Sequence, residues 1–337
     1  MPIRRRDIGH KLADKEIDRI REELDAEYKK AYAELKKKAD KYFAKYDKQV
    51  KNWMDAVKAG EKTDADFLAW KQREMINNKR YGSLVRTLSK ELTKTDQMAR
   101  DIVNGHLADV YVENYNFMAF ELCKETGINL RFDLVDRRTV EKLAKSDKIP
   151  LPKASLDKIK SMKWNEKNIK SALYQGIIQG DSMDDIAKRL RKVSGMDEEA
   201  SIRNARTMVT SAENAGRQDR MEEAAEEYGI EMQKTWIATL DDRTRDAHAE
   251  LDGESVDIDQ PFENSIGKIM YPCDPDCPDG ENVYNCRCTM ITSIKKYPKD
   301  LSRREMGRGI EGMSYDEWKQ EAKERAEETA RKKRERE

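Results

Sequence analysis

Residues 12–59 contain neither proline nor glycine, and their apolar positions advance in repeating steps of three, four and four. The stripe runs Ile17, Ile20, Leu24, Tyr28, Ala31, Leu35, Ala39, Tyr42, Tyr46, Val50, Trp53 and Val57. An eleven-residue period is ~3.67 residues per turn, so the stripe stays almost straight on an α-helix. A strand, whose faces alternate with a period of two, has no use for such a pattern. The spacing predicts a single helix ending at Gly60, roughly 65–70 Å long at ~1.5 Å per residue. Aromatics and alanines in one stripe point to packing on neighbours within the chain. A rod that packs on other subunits is the other use.

The rest of the composition agrees with long amphipathic helices. Charged residues make up 39% of the 337 residues and apolar ones 37%, too few for one large core. Lys+Arg and Asp+Glu number 66 each, so no net charge draws the chain to nucleic acid or membrane. No run approaches the ~18 apolar residues of a membrane span. The opening MPIRRRDIGHK has no apolar segment behind its basic residues and is not read as a signal peptide. Five cysteines, with Cys123 apart from the others, do not form a disulfide framework, which points to a reducing compartment.

Along the chain, Thr63 and Asp64 restart a helix after Gly60, and the helical pattern continues to about Lys124 with a break at Gly82. Tyr111, Tyr115, Phe117, Met118 and Phe120 form an aromatic cluster expected to seam against the first helix. A brief extended piece at Phe132–Val135 and a short helix Arg138–Ala144 lead to Pro150 and Pro152, which mark a boundary. Helices follow over Lys167–Gly180, Ser182–Val193 and Asp197–Tyr228. The last holds RNARTMVTSAENAGRQDR, whose small residues suit close packing with Arg206, Thr210, Glu213 and Asn214 as polar anchors. Ser314 and Glu317 make a capping box that opens a charged, solvated C-terminal helix. The expected domains are 1–150, long helices; 151–295, a separate module; and 296–337, the helical tail. Residues 1–60 should be dispensable for folding of the module.

From Lys234 to Met290 the grammar changes to strands and Gly/Pro loops. Glu231–Leu240 reads as a strand, Asp242–Leu251 as a short helix stopped by Gly253, and Asn282–Ile294 as a second strand. The fold class expected is mainly α with a small α+β C-terminal module.

Four of the five cysteines lie here, with His248. His248, Cys273, Cys277, Cys286 and Cys288 are the candidate metal ligands, since thiolate and imidazole are the usual partners of structural zinc. On a straight strand, however, Cys286 and Cys288 would have Cα atoms roughly 6.5–7 Å apart, awkward for one ion. The spacing therefore favours buried thiols, with His248 tied to a carboxylate such as Asp252. Asp241, Arg243, Arg245, His248, Asp252 and Cys286 hold groups fit for acid–base or nucleophilic work. No motif joins a nucleophile to a base, so no catalytic or cofactor-binding residue is assigned. Arg243 and Arg245 are expected to brace Asp241, Asp242 and Asp252 instead.

The combination W-x-A-T-x-D-x-R-T-R-x-x-H-x-x-L-D-G, then P-x-D-P, then N-C-R-C, resembles the phage Mu F-like minor head protein family of head morphogenesis proteins. Its positions here include Trp236, Asp241, Arg243, Thr244, Arg245, His248, Asp252, Gly253, Asn285, Cys286, Arg287 and Cys288. The family pattern has glycine before the D-P pair, where this chain has Cys273, and Cys277 is also extra. The resemblance implies a structural, non-enzymatic protein of a tailed-phage or prophage virion. It would be assembled in the bacterial cytoplasm and placed in the head interior or at the portal vertex. Portal, scaffold and capsid proteins are the implied partners. Contact with packaged DNA and self-association through the first helix are further expectations. The resemblance also leaves an ADP-ribosyltransferase-like enzyme or effector as an alternative, because the family's module also occurs fused to such toxins. The Cys/His residues themselves leave a second alternative, a zinc-stapled nucleic-acid-binding module, and no cofactor is expected beyond the candidate structural zinc.

Overall fold

A computed structural model describes residues 8–77, 79–127, 134–145, 161–179, 181–296, 310 and 312–334. The expected class holds: long helices dominate, and short antiparallel strands are confined to the C-terminal region. The helices are α1 (Ile8–Lys58), α2 (Asp64–Asn77), α3 (Lys79–Thr126), α4 (Arg137–Lys145), α5 (Met162–Gln179), α6 (Met183–Tyr228), α7 (Asp246–Glu250), α8 (Gly280–Val283) and α9 (Tyr315–Arg334). The strands are β1 (Glu231–Ile237), β2 (Ser255–Asp257), β3 (Phe262–Glu263), β4 (Lys268–Ile269) and β5 (Thr289–Lys296).

The described residues form two compact units. One takes its residues from 1–19, 103–153 and 205–337, the other from 20–102 and 154–204. Each is discontinuous along the chain, whereas the expected domains were consecutive stretches. The Pro150–Pro152 boundary and the first half of the Phe132–Val135 piece lie outside the described residues.

In the second unit the stripe does what its period requires. Ile20, Leu24, Tyr28, Ala31, Leu35, Ala39 and Tyr46 are all buried. Phe43, not Tyr42, takes the next inward place. Beyond it, Trp53 and Tyr46 stack on Trp70 of α2. Gly60 closes the helix with φ +76°, a left-handed conformation that suits glycine. Thr63 caps α2, and Asp66 returns a bond to the Thr63 N–H at 3.0 Å. Gly82 lies inside α3, where no break occurs. A polar knot ties the unit together. Tyr28 donates to Asp96 at 2.7 Å, and Asn165 donates to the other Asp96 oxygen at 3.0 Å.

Two expected helices prove to be one, whose residues from Ala205 on belong to the first unit. The pattern over Ser182–Val193 continues through Gly195 into a 46-residue α6. Ser182 caps it with the expected partner Asp185, at 2.6 Å. The aromatic cluster of α3 faces α6 and α9. Tyr115 stacks beneath the Arg220 guanidinium, 4.0 Å from the ring centre. Phe120 and Phe117 pack on Tyr315 of α9. Trp318 is fully buried, so the first turns of α9 are core and only its later, charged turns are solvated. Gly216 brings α6 against α3 so closely that a Cβ there would sit 2.6 Å from the Tyr111 carbonyl.

The start of α1 belongs to this same unit. A Cβ at Gly9 would lie 2.7 Å from Arg217 and Asn114, so no larger residue fits. Residues 8–19 are therefore part of the packing that surrounds the strand module. The expectation that residues 1–60 can be removed without cost does not extend to them.

Candidate functional site

β1 is the central strand of a sheet ordered β2-β1-β5, antiparallel throughout. Trp236 pairs with Met290 and Ile237 with Thr289. Between β1 and β5 the chain makes few regular hydrogen bonds: β2 has three residues, and β3 and β4 two each. Side chains replace the missing backbone ladder. Asp252 accepts the Ala238 N–H at 2.9 Å, and Gly253 (φ +84°) donates its own N–H to the Trp236 carbonyl at 2.9 Å. Asp241 accepts the Arg243 N–H at 3.0 Å and closes a turn in which Thr244 bonds the Thr239 carbonyl. That turn replaces the expected first half of the helix, leaving only α7.

The arginine pairings differ from those expected. Arg287 grips Asp241 with both terminal nitrogens, one of them at 2.6 Å, and holds its carboxyl well below the usual range. Arg245 donates instead to the Tyr284 carbonyl at 2.5 Å. Arg243 is largely exposed, 3.8 Å from Asp241. Backbone groups near the turn were the better partners, because their carbonyls and N–H groups had no ladder to join.

The second strand also differs. Gly280–Val283 is a helical turn, Asn285 is left-handed at φ +56°, and β5 begins only at Thr289. Tyr284 is exposed while Cys286 and Cys288 are buried, so the three do not share one face as a strand running from Asn282 to Ile294 would require. The bend is held from α6. Thr207 accepts the Asn285 N–H at 2.8 Å, and Arg206 donates to the Asn285 side chain at 2.8 Å. Thr210 donates to the Cys286 carbonyl at 3.2 Å, Asn214 to that of Cys288 at 3.4 Å, and Arg217 to that of Met290 at 2.9 Å. Steps of three, four and three along α6 thus serve one side of an extended chain. Of the polar anchors read from the sequence, Arg206, Thr210 and Asn214 are in this set.

Sequence reasoning missed the centre of this network. Arg217 is completely buried, between Asn114 (3.1 Å) and Glu213 (3.4 Å). Glu213 also takes the Thr289 hydroxyl at 2.7 Å and His10 at 3.0 Å. Burial alone would push the Glu213 carboxyl up, but His10 and Arg217 bring it below its ordinary value. Burial likewise opposes a charge on His10, and Glu213 overrides it, raising the imidazole. Arg217 follows the anchors at helical spacing and could have been found; His10, 203 residues from its partner, carries no local signal. Lys234 is also buried, bonded to Gln218 at 3.2 Å, and burial lowers its ammonium to about 8.

The bend gathers the sulfur groups. His248 Nδ1 lies 3.4 Å from Cys286 Sγ and 3.6 Å from Cys288 Sγ. Cys273 donates its thiol to the Val283 carbonyl at 3.1 Å and packs in the same apolar cluster as Cys286. Cys277 is only half-buried and points at the Lys268 and Asp279 carbonyls, 3.5 and 3.7 Å away. His248 has thiols, not Asp252, beside its Nδ1, and its Nε2 is buried with no partner among the described residues. The cluster sits in an apolar core with Trp236, Leu251, Phe262 and Ile269. Trp236 stands edge-on to both His248 and Phe262, at 5.5 and 5.2 Å. A cysteine beside a histidine is the pattern of an activated nucleophile. Here both are 2% exposed, and burial pushes the Cys286 thiol up, the reverse of activation.

Residues 167–291 match the family described as "Phage Mu protein F like protein". Over 319 residues the chain is 28% identical to minor head protein GP7 of Bacillus phage SPP1, covering 90% of this chain and 97% of GP7. The motif from Trp236 to Cys288 lies within the family match, so residues 167–291 form a Mu F-like module. This Mu F-like chain is also 29% identical over 227 residues to NAD(+)–arginine ADP-ribosyltransferase EFV of Enterococcus faecalis, covering 64% of this chain and 44% of EFV. An uncharacterized protein of Haemophilus influenzae is 26% identical over 211 residues, 62% of this chain and 42% of that protein. The chain thus spans less than half the length of these last two. No solved structure matches it. Among the described residues, no helix is long and apolar enough to cross a membrane.

Proposed function

We propose that this Mu F-like protein is a structural component in building a phage head, acting at or near the portal vertex, and is not an enzyme. The observation that carries this is the likeness to GP7 over nearly the full length of both chains. The module adds support. Its family-motif residues are spent on holding a bent loop: Asp241 on Arg287, Asp252 on Ala238, Arg245 on Tyr284. The cluster of His248, Cys286 and Cys288 is sealed from solvent. The apolar stripe of α1 is consumed within the chain, which leaves charged helix faces such as the later turns of α9 for partners.

The likeness to EFV covers less than half of that enzyme, so its activity is not carried over. Co-expression with the portal protein of the same phage or prophage, followed by co-purification and size-exclusion chromatography, tests the role. One stable complex is expected; two separate peaks at micromolar concentration would remove the portal from the proposal. Incubation with labelled NAD should show no turnover above a protein-free control. Turnover that Arg243→Ala or His248→Ala abolished would overturn the structural reading.

A further inference from the structure

We propose that His248, Cys286 and Cys288, with Cys273 as fourth ligand, hold a structural zinc ion that fixes the loop between β1 and β5. The head-building role makes no use of this cluster, and the argument for the ion is independent of it.

Geometry comes first. Zinc binds sulfur at ~2.3 Å and imidazole nitrogen at ~2.0–2.1 Å, and tetrahedral angles then place nitrogen about 3.5–3.6 Å from each sulfur. His248 Nδ1 lies 3.4 and 3.6 Å from the two sulfurs, and the three ligand atoms all fall within 4.8 Å of one another. The objection to a C-x-C pair was that a straight strand holds its side chains too far apart. The segment is not straight: Asn285 is left-handed, and both cysteines precede β5. Cys288 even turns its N–H onto the Cys286 sulfur, at 3.3 Å.

The support of the ligands comes next. The carbonyls of Cys286 and Cys288 are bonded by Thr210 and Asn214 of α6, and the Asn285 amide by Thr207. Ligands fixed from behind in this way are what a metal site requires. His248 offers its Nδ1 to two thiols rather than to a carboxylate. Cys273 is fully buried in the same apolar cluster as Cys286 and Cys288, and as fourth ligand its thiol would turn from the Val283 carbonyl to the other three donors. Binding would exchange three thiol protons and the Cys273–Val283 hydrogen bond for three Zn–S bonds and one Zn–N bond, the protons passing to water.

The ion would also supply what the loop lacks. Strands of two and three residues and a four-residue helix hold little by themselves. A zinc joining α7 to the approach of β5 closes a 38-residue loop at its narrowest point. Ligands 0–2% exposed describe a closed structural site loaded as the chain folds, not a catalytic site with an open position.

The full-length chain, produced with zinc in the medium and freed of any histidine tag, should carry about one zinc per chain after dialysis against EDTA. X-ray absorption should show three sulfurs and one nitrogen around the ion; two sulfurs would remove Cys273 from the site and leave the other three. Cys286→Ser and Cys288→Ser should each lose the metal, while Cys277→Ser and Cys123→Ser keep it. Because buried-thiol variants can fail to fold, the wild-type chain is also unfolded and refolded with EDTA or with zinc. Amide protection over residues 264–288 should return only with zinc. Wild-type protein that stays metal-free in excess zinc, or a Cys286→Ser/Cys288→Ser double variant that keeps a full equivalent, overturns the proposal.

Discussion

Two buried helix faces in this molecule are built from opposite chemistry. The face of α1 from Ile20 to Tyr46 is apolar with hardly an exception. The face of α6 from Thr207 to Gln218 is buried just as deeply, yet it presents Thr207, Thr210, Glu213, Asn214, Arg217 and Gln218. The first face needs only area removed from water, which is non-directional. The second needs each donor to meet one acceptor, because a buried polar group without its partner costs about 1–3 kcal/mol. The apolar face can therefore tolerate substitutions that keep volume, while the polar face specifies one path for the chain over residues 285–290.

The largest effect expected follows from that difference. Arg217→Ala removes the partner of Glu213, Asn114 and the Met290 carbonyl together. Losing one member of a buried charged network costs on the order of 3–5 kcal/mol. Urea denaturation should show a loss of that size, and hydrogen exchange should rise across β5 and the middle of α3. A loss below about 1 kcal/mol would mean that the network is dispensable and the comparison false.

On the apolar face, Leu24→Ala should cost about 2–4 kcal/mol through the cavity it leaves, whereas Leu24→Met should cost under about 1.5 kcal/mol. The same pair of readings on α6 should not show such recovery: Asn214→Leu keeps the volume and loses the bond to Cys288. If Asn214→Leu is as mild as Leu24→Met, directionality does not matter there.

Asn285→Ala should cost about 2 kcal/mol, combining a left-handed penalty of ~1–2 with a lost hydrogen bond of ~1. Asn285→Gly, free of the backbone penalty, should cost about half as much. Equal losses would mean that the conformation at φ +56° contributes nothing to the bend. The same logic applies at Cys273, φ +61°, where the family pattern has glycine. A side chain kept in that conformation has a contact to make, and here its thiol donates to the Val283 carbonyl at 3.1 Å.

These two faces also explain what could be read in advance. The stripe of α1 was legible because its information is local: each position announces itself at a fixed step from the last. The Thr63–Asp66, Ser182–Asp185 and Ser314–Glu317 caps were legible for the same reason. The motif residues from Trp236 to Gly253 could be recognised, but their partners could not. Asp241 meets Arg287 46 residues away, and Thr210 meets Cys286 76 residues away. The second strand was misplaced because alternation of apolar residues was taken at face value across Asn285. Nothing in residues 282–290 alone shows that Thr207 and Arg206 would hold that residue left-handed.

The smallest effect concerns pH and reads the buried polar network as a slope. His10 has its imidazole raised above 6.5 in the folded chain, against burial and through Glu213. A raised histidine adds stability that is fully present below about 6.5 and is lost as pH climbs through the folded value. Glu213 is lowered below 4.5, so its share is present above that value and lost as pH falls through the folded value. Together the pair stabilises most between about pH 4.5 and 6.5. Other groups in the same unit tilt the background. Asp219, pushed up to about 6 by burial, makes stability fall as pH rises from 3.8 to that value. Lys234, lowered to about 8, makes stability rise between there and 10.5. The wild-type curve therefore mixes these slopes, and the difference from His10→Gln isolates one. Glutamine can still donate to Glu213 but cannot titrate. Melting temperatures at fixed ionic strength should diverge most at pH 5–6, with wild type the more stable, and converge by pH 9. Parallel curves from pH 5 to 9 would show that His10 is neutral throughout and that Arg217 alone balances Glu213.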